Sequence, residues 1–265
     1  GWNLPYHGRL DDIRLYDQNL NTDQAADLYA QTDPRAVAPA VVYDTAGESP
    51  AHDLAIADAD HVTWISGGGL TIDTGTTISS GGTVTRLHDA ITASDAVTVE
   101  AIFTPANITQ DGPARIVSYS NGTSNRNFPL GQTDAKYNVR LRTEFKSSGT
   151  PEAESGDVLV AGTREHVIFT YDNTNEELRI YRNGTLEVTE TWTGDLDNWN
   201  SGYELLLANE ASDNRDWLGS LHRVAIYDGT FNGIQADNVF NGDPPGDGTG
   251  GEAGLAYEVE WIESP

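Results

Sequence analysis

The sequence predicts an all-β fold, a two-sheet antiparallel β-sandwich, on three observations. Apolar residues recur at every second position in several segments. An Asn183-Gly184 pair separates two of them. No long segment carries apolar residues at helical spacing. A period of two marks strands with one buried face. Asn-Gly suits a two-residue hairpin because both residues tolerate positive φ. Two sheets that bury one face against each other are the economical way to close such a set.

In chain order, residues 1–31 read as a strand and a short helix. Ile13 and Leu15 fall on one strand face, Thr22 can cap the next turn, and Ala25, Leu28 and Tyr29 form a small apolar stripe. Gln31 to Pro39 is a linker with two prolines. Val97, Val99, Ala101 and Phe103 then alternate with Thr98, Glu100, Ile102 and Thr104. Tyr137, Val139, Leu141, Thr143 and Phe145 alternate with Asn138, Arg140, Arg142 and Glu144, and Val167, Phe169 and Tyr171 with His166, Ile168 and Thr170. Leu178–Arg182 and Thr185–Val188 flank the hairpin pair, and Tyr203 to Ala208 is apolar enough for a central strand. Residues 241–254 form a Gly/Pro-rich linker. Residues 255–265 return to strand character, and either open a following module or fold back as an edge strand.

The chain also repeats itself. Gly8 to Asp17 (GRLDDIRLYD) matches Gly219 to Asp228 (GSLHRVAIYD), and the match continues with Leu20 over Phe231, Leu28 over Val239 and Tyr29 over Phe240. A repeat at this spacing divides the chain into the tail of one unit, 1–31, and one complete unit, 38–244. The chain contains no Met, even at residue 1, and reads as a piece of a longer tandem array.

Composition narrows the function. There are 41 acidic and 15 basic residues, a formal net charge of -26. Such a surface repels nucleic acid and anionic membranes at long range. It suits either a protein of salty surroundings, where screening relieves self-repulsion, or an acidic secreted protein. No apolar stretch reaches the 18 or so residues of a membrane span, so membrane insertion is not expected. With no Cys, disulfides and thiol chemistry are excluded.

Several segments resemble LamG-like jelly-roll domains of the concanavalin A-like lectin/glucanase superfamily. Tyr171-Asp172 with Leu178 to Gly184 is similar to their hairpin, and Arg164 to Val167 to the strand before it, with Arg164 where Trp is usual. Trp217 to Asp228 resembles their closing strand, which Gly8 to Asp17 matches more closely. Arg115 to Ser118 and Arg126 to Gln132 resemble one subgroup found in large bacterial secreted proteins. The resemblance implies a two-sheet jelly roll. It also implies a non-catalytic glycan-binding or adhesion module of a multidomain secreted or cell-surface protein. The rival is a spacer in a surface fibre; a polysaccharide-degrading enzyme is the weakest reading, since fold alone does not set function. The implied partners are a polysaccharide or glycoprotein glycan and adjacent modules or neighbouring chains.

Candidate ligand residues follow from scarcity of positive charge. Arg126, Asn127, Gln132, Arg140, Arg142, Asn209 and Trp217 supply the planar polar groups and the aromatic face that sugars favour. Trp64, Trp192 and Trp199 are further aromatic candidates, each with core packing as the competing role. For arginines 140 and 142 the competing role is an internal salt-bridge network. Some members of the family hold a structural calcium ion at the closing-strand Asp. Asp11 and Asp12 stand there in the first copy, but His222 and Arg223 in the second, so Asp44, Asp213 and Asp216 are the remaining oxygen donors for one such ion. Glu258 and Glu260 approach the carboxylate pattern of retaining glucanases, but the middle residue of that pattern is Glu rather than Asp. His166 is expected in a structural hydrogen bond. Asn107, Asn121 and Asn183 are acceptor sequons for glycosylation.

Overall fold

The computed structural model describes residues 41–47, 49–66, 68–110, 112–246 and 253–260. The expectations for 1–31 and for residues beyond 260 lie outside them. Sixteen strands occur among the described residues: β1 (Val41–Val42), β2 (Leu54–Ile56), β3 (Val62–Trp64), β4 (Leu70–Ile72), β5 (Ile78–Ser79), β6 (Ala96–Pro105), β7 (Ala114–Ser120), β8 (Arg126–Thr133), β9 (Lys136–Val139), β10 (Ala153–Glu154), β11 (Glu165–Asp172), β12 (Glu177–Arg182), β13 (Thr185–Thr191), β14 (Glu204–Leu207), β15 (Gly219–Tyr227) and β16 (Leu255–Glu260). The first sheet runs β1-β2-β5-β14-β7-β8-β9-β10 and the second β13-β12-β11-β6-β15-β4-β3. All pairings are antiparallel, and sequence neighbours are often separated by crossovers, as a jelly roll requires.

The alternating residues meet between the sheets. Val99, Ala101 and Phe103 of β6 and Val167, Phe169 and Tyr171 of β11 join Val117, Tyr119, Phe128, Leu130, Leu205 and Leu207 of the first sheet in one buried cluster. Phe128 and Phe169 touch edge-on across the gap, with ring centroids 5.5 Å apart. Each such side chain contributes about 1.5–3 kcal/mol by leaving water.

Period two led to the expectation that β6 and β11 are half-buried. Both of their faces are covered instead. Helix α2 (Gly233–Phe240) and Phe231 lie over the outer face, where Ile168, Tyr181, Ala225, Tyr227 and Ala236 form a second cluster. Asn232 begins this helix with a capping box: its side chain accepts from the backbone N–H of Ile234 and Gln235, and Gln235 answers by accepting from Asn232 N. Helix α1 (Thr85–Ser94) carries almost no pattern signal, because only Leu87 and Ile91 mark its buried face. Asp95 ends α1 at φ 54°.

Strand character at 137–145 stops earlier than expected. β9 ends at Val139, and although Leu141 and Thr143 are buried, Phe145 is 69% exposed. Residues 255–260 pair with β15 beside β6, in the second sheet of the same sandwich. There Tyr257 and Val259 enter the main core.

Candidate functional site

The register of β7 to β10 brings polar residues to the outer face of the first sheet. Arg115 stands across from Gly131, Gly131 from Asn138, and Asn138 from Glu154. These four make one row over four strands. The next rows place Ser118 beside Leu206, and Ser120 between Glu204 and Arg126. Alternation puts Arg140 and Arg142 on the same face, past the end of β9, while Leu141 points to the core. Gly131 keeps the first row open: a Cβ there would stand 2.7 Å from Ala114 O and 3.4 Å from Asn138 Oδ1.

Loop 209–216 closes over one side of this face, tied down by the Arg115 N–H, which donates to Arg215 O at 2.9 Å. The loop brings Arg215 and Glu210 to the row. Arginines 126, 140 and 215 thus lie within electrostatic reach of Arg115, with Glu210 and Glu152 as nearby carboxylates. Burial, together with arginines 140 and 126, pushes the Arg115 guanidinium down to about 9. Burial and Arg140 also lower Arg126. Burial pushes the Glu152 carboxyl up, but its own backbone and Arg140, at 3.2 Å, hold it below the usual range.

Several of these groups are buried with unmet hydrogen-bonding atoms. Arg115 is 2% exposed, and its Nη1 has no partner. Glu210 is fully buried; its Oε1 accepts from Ser212 N, but Oε2 has no donor. Asn138 donates to Thr133 Oγ1, and its Oδ1 accepts nothing. The Nε atoms of arginines 126, 140, 142 and 215 are also unpartnered. Seven of the thirteen such atoms among the described residues lie on this face or its covering loop. An unmet buried polar atom costs about 1–3 kcal/mol, so this concentration marks a place where further partners are wanted.

Of the residues selected from sequence, the structure brings together Arg126, Arg140 and Arg142. Arg126 donates to Thr123 O and to Ser148 O. Among the described residues the Arg142 guanidinium reaches Tyr203 Oη, at 3.5 Å. Asn127, Gln132, Asn209 and Trp217, expected at a ligand, are fully buried and hydrogen-bonded or packed internally. Asn127 exchanges two hydrogen bonds with the Asn200 backbone. The Gln132 amide donates to Asn107 O and Asp134 O, while its Oε1 accepts from Trp217 Nε1 at 2.9 Å. Trp217 is fully buried, edge-on to Phe103. Trp192 and Trp199 are buried too, donating to Leu141 O and Arg142 O, and Trp64 packs half-buried against the core. Of the salt-bridge network expected for arginines 140 and 142 with Glu144 and neighbours, the described residues show Arg140–Glu152 at 3.2 Å.

Sequence reasoning missed Arg115 as a member of this face; a charged residue inside the apolar run Ala114 to Val117 was the available signal.

The three aspartates chosen for calcium do not share a place. Asp44 is bound to Arg86 at 2.7 Å and accepts from the backbone N–H of His52. Asp213 and Asp216 converge, but on the Asn209 amide Nδ2, at 2.8 and 2.6 Å. That amide cannot turn its oxygen towards them, because Oδ1 already accepts from Glu210 N and Arg215 N. Burial and Asp213 raise the Asp216 pKa. Among the described residues no three His, Asp or Glu side chains form a metal-holding group. Glu258 is ion-paired to Arg223, which also reaches Glu100 at 3.3 Å, so it is committed to holding β16 on β15. No helix among the described residues is long and apolar enough to cross a membrane.

Two stacked antiparallel sheets joined by crossovers define a jelly-roll β-sandwich. The profile of the concanavalin A-like lectin/glucanases superfamily matches residues 78–235, more than half of the chain, and the chain belongs to that superfamily. Among solved structures, the CBM40 domain of the Ruminococcus gnavus IT-sialidase, bound to α2,3 sialyllactose, matches with a TM-score of 0.52 and 16% identity, over 65% of this chain and 96% of that one. A variant of the NanB sialidase from Streptococcus pneumoniae matches with a TM-score of 0.51 and 17% identity, over 65% of this chain but 27% of that one. At these identities the likeness is one of fold. A comparison with curated proteins found no match.

Proposed function

We propose that this chain is a non-catalytic carbohydrate-binding module of a secreted or cell-surface protein, and that glycan binds on the outer face of the first sheet. The observation that carries the reading is the jelly-roll sandwich of the lectin superfamily, with the half-buried arginines 140 and 142 on one outer sheet face. Planar guanidinium groups suit the hydroxyls and acid groups of sugars. The sialyllactose-bound relative has the same fold and supports this class of partner. Tandem modules of this kind gain affinity through avidity even when one site is weak.

The second reading is a ligand-free spacer. It is favoured by the repeat of Gly8 to Asp17 at Gly219 to Asp228 and by the burial of Trp192, Trp199 and Trp217, which removes the expected stacking platforms. A glycan array at low and high salt, carrying lactose and sialyllactose among its members, separates the two. Binding that weakens by more than about 1 kcal/mol in Arg142→Ala, with thermal stability retained, supports the module. Silence at both salts leaves the spacer. Equal loss of stability and binding would make Arg142 structural.

A further inference from the structure

The edge of β15 from Arg223 to Tyr227 is filled by a strand that the chain supplies from beyond its Gly/Pro-rich linker. Several independent contacts hold β16 there. Tyr257 and Val259 are fully buried in the main core, and Ala256 is buried beside them. Arg223 is ion-paired to Glu258. On the far side of the strand, Thr45 N donates to Glu258 O at 2.8 Å. Arg86 of α1 donates through Nη1 to Ala256 O and through Nη2 to Asp44, at 2.7 Å. One guanidinium thus ties the strand to the opening segment of the sandwich. Without β16, β15 would present an open edge, and Arg86 and Arg223 would each lose a partner.

The filling strand has the sequence of an opening strand. Ala256-Tyr257-Glu258-Val259 aligns with Val42-Tyr43-Asp44-Thr45, which opens the complete unit: an aliphatic residue, a tyrosine, an acid and a β-branched residue in each. The order of segments is repeated too. Gly8 to Asp17 is followed by an apolar stripe at helical spacing, a linker and Val42 to Thr45. Gly219 to Asp228 is followed by α2, a linker and Ala256 to Val259. By sequence β16 begins a unit; by structure it completes the one before. The two tyrosines differ accordingly. Tyr257 has the body of a complete unit to enter and is fully buried, whereas Tyr43 follows only the tail of one and is 57% exposed. Each closing strand also carries an arginine for the acid. The counterpart of Arg223 in the first copy is Asp12, but Arg14 is the counterpart of Ala225, the residue directly across from Glu258.

We infer that the Arg223–Tyr227 edge of β15 is the joint between consecutive units of a tandem array, a slot whose partner is the opening strand of the following unit. Main-chain pairing along β15 supplies the affinity, as in strand addition, while the core position of the tyrosine and an arginine for the acid supply the specificity. Each unit then reaches full stability only when the first strand of the next is in place, because whatever binds the folded state alone stabilises it. Neighbouring units are coupled through a strand rather than strung on free linkers. The joint belongs to the second sheet, whereas the face proposed for glycan belongs to the first.

The test uses the whole chain with a specific protease site inserted in the linker, within residues 247–252, so that β16 can be cut free after folding. The cut protein is unfolded in urea and refolded with an excess of fluorescein-labelled peptide, so that slow exchange cannot mask binding. Capture is read by anisotropy for peptide 253–262, for peptide 40–49 and for a scrambled form of 253–262. Both opening-strand peptides are expected to bind more tightly than the scramble by about tenfold or more, and a Tyr257→Ser form of peptide 253–262 should lose a similar factor. A second format needs no cut. The double variant Tyr257→Ser/Val259→Ser, whose own strand no longer fills the slot, should capture both peptides where the wild-type chain captures neither. Capture of 253–262 without 40–49 overturns the inference and makes β16 a strand private to this unit. Capture of neither peptide in both formats, or of the scramble equally well, overturns it as well.

Discussion

Glu100 shows how a single buried charge is kept in an otherwise apolar strand. It accepts from His166 Nε2 at 3.0 Å and Tyr227 Oη at 2.9 Å, and Arg223 lies 3.3 Å away. Burial pushes its carboxyl up, but His166 and Arg223 outweigh burial and bring its pKa below the ordinary glutamate value. A carboxylate lowered in the folded state contributes stability above its unfolded pKa, about 4.3, and loses it as pH falls through the lower folded value. We expect the urea midpoint to decline as pH falls below about 4. Glu100→Gln, though less stable at neutral pH because it removes the carboxylate that His166, Tyr227 and Arg223 share, should show a shallower acid decline. Identical acid slopes in the two proteins would locate the effect elsewhere. His166 was legible as a structural histidine because it lay beside an apolar strand pattern; its partner was not, since Glu100 is 66 residues away.

At the level of elements, the β12–β13 hairpin was legible and its surroundings were not. Asn183 and Gly184 take φ of 49° and 76°, as a two-residue turn between right-twisted strands demands. Asn183 Oδ1 also accepts from His166 N, and Gly184 lies against α2, where a Cβ would stand 2.9 Å from Asp237 Oδ1 and 3.2 Å from Phe240. Gly184→Ala therefore meets both a strained φ and a crowded neighbour. It should cost about 1–3 kcal/mol, measured by chemical denaturation. A loss within about 0.5 kcal/mol, the usual range for surface changes, would show that α2 yields to the methyl group. β16 is the opposite case. Its alternation was visible, but whether Tyr257 and Val259 served this sandwich or another module depended on which edge was open. β15 supplies that edge at Arg223 to Tyr227, beyond the part that β4 occupies.

For the whole molecule, a net charge of -26 makes self-repulsion the dominant long-range force. Salt shortens its range from about 30 Å at 0.01 M to about 3 Å at 1 M. Melting temperature and refolding yield are expected to rise with NaCl over that interval. Indifference from about 0.1 M to 2 M, where the screening length is already 10 Å or less, would rule out adaptation to high salt. Scarce positive charge also gives the arginine cluster its weight. On a surface so acidic, concentrating arginine on one face creates a local field opposite to the global one.

By itself the sequence determined the class of fold, because period two, the Asn-Gly turn and the repeat of the closing strand are local signals tied to backbone geometry. It also selected Arg126, Arg140 and Arg142, since rare arginines on a polar face stand out. Only tertiary structure decided which polar residues meet. Arg115, Gly131 and Asn138 share a row through strand register, and Glu210 and Arg215 arrive on a loop from a distant part of the chain. Register decided the aromatic residues as well. Trp217 had the composition of a sugar platform, but it faces Phe103 and Gln132, where burial gains more than exposure would. Side-chain type states what a residue can do; its face and its cross-strand neighbours decide what it does.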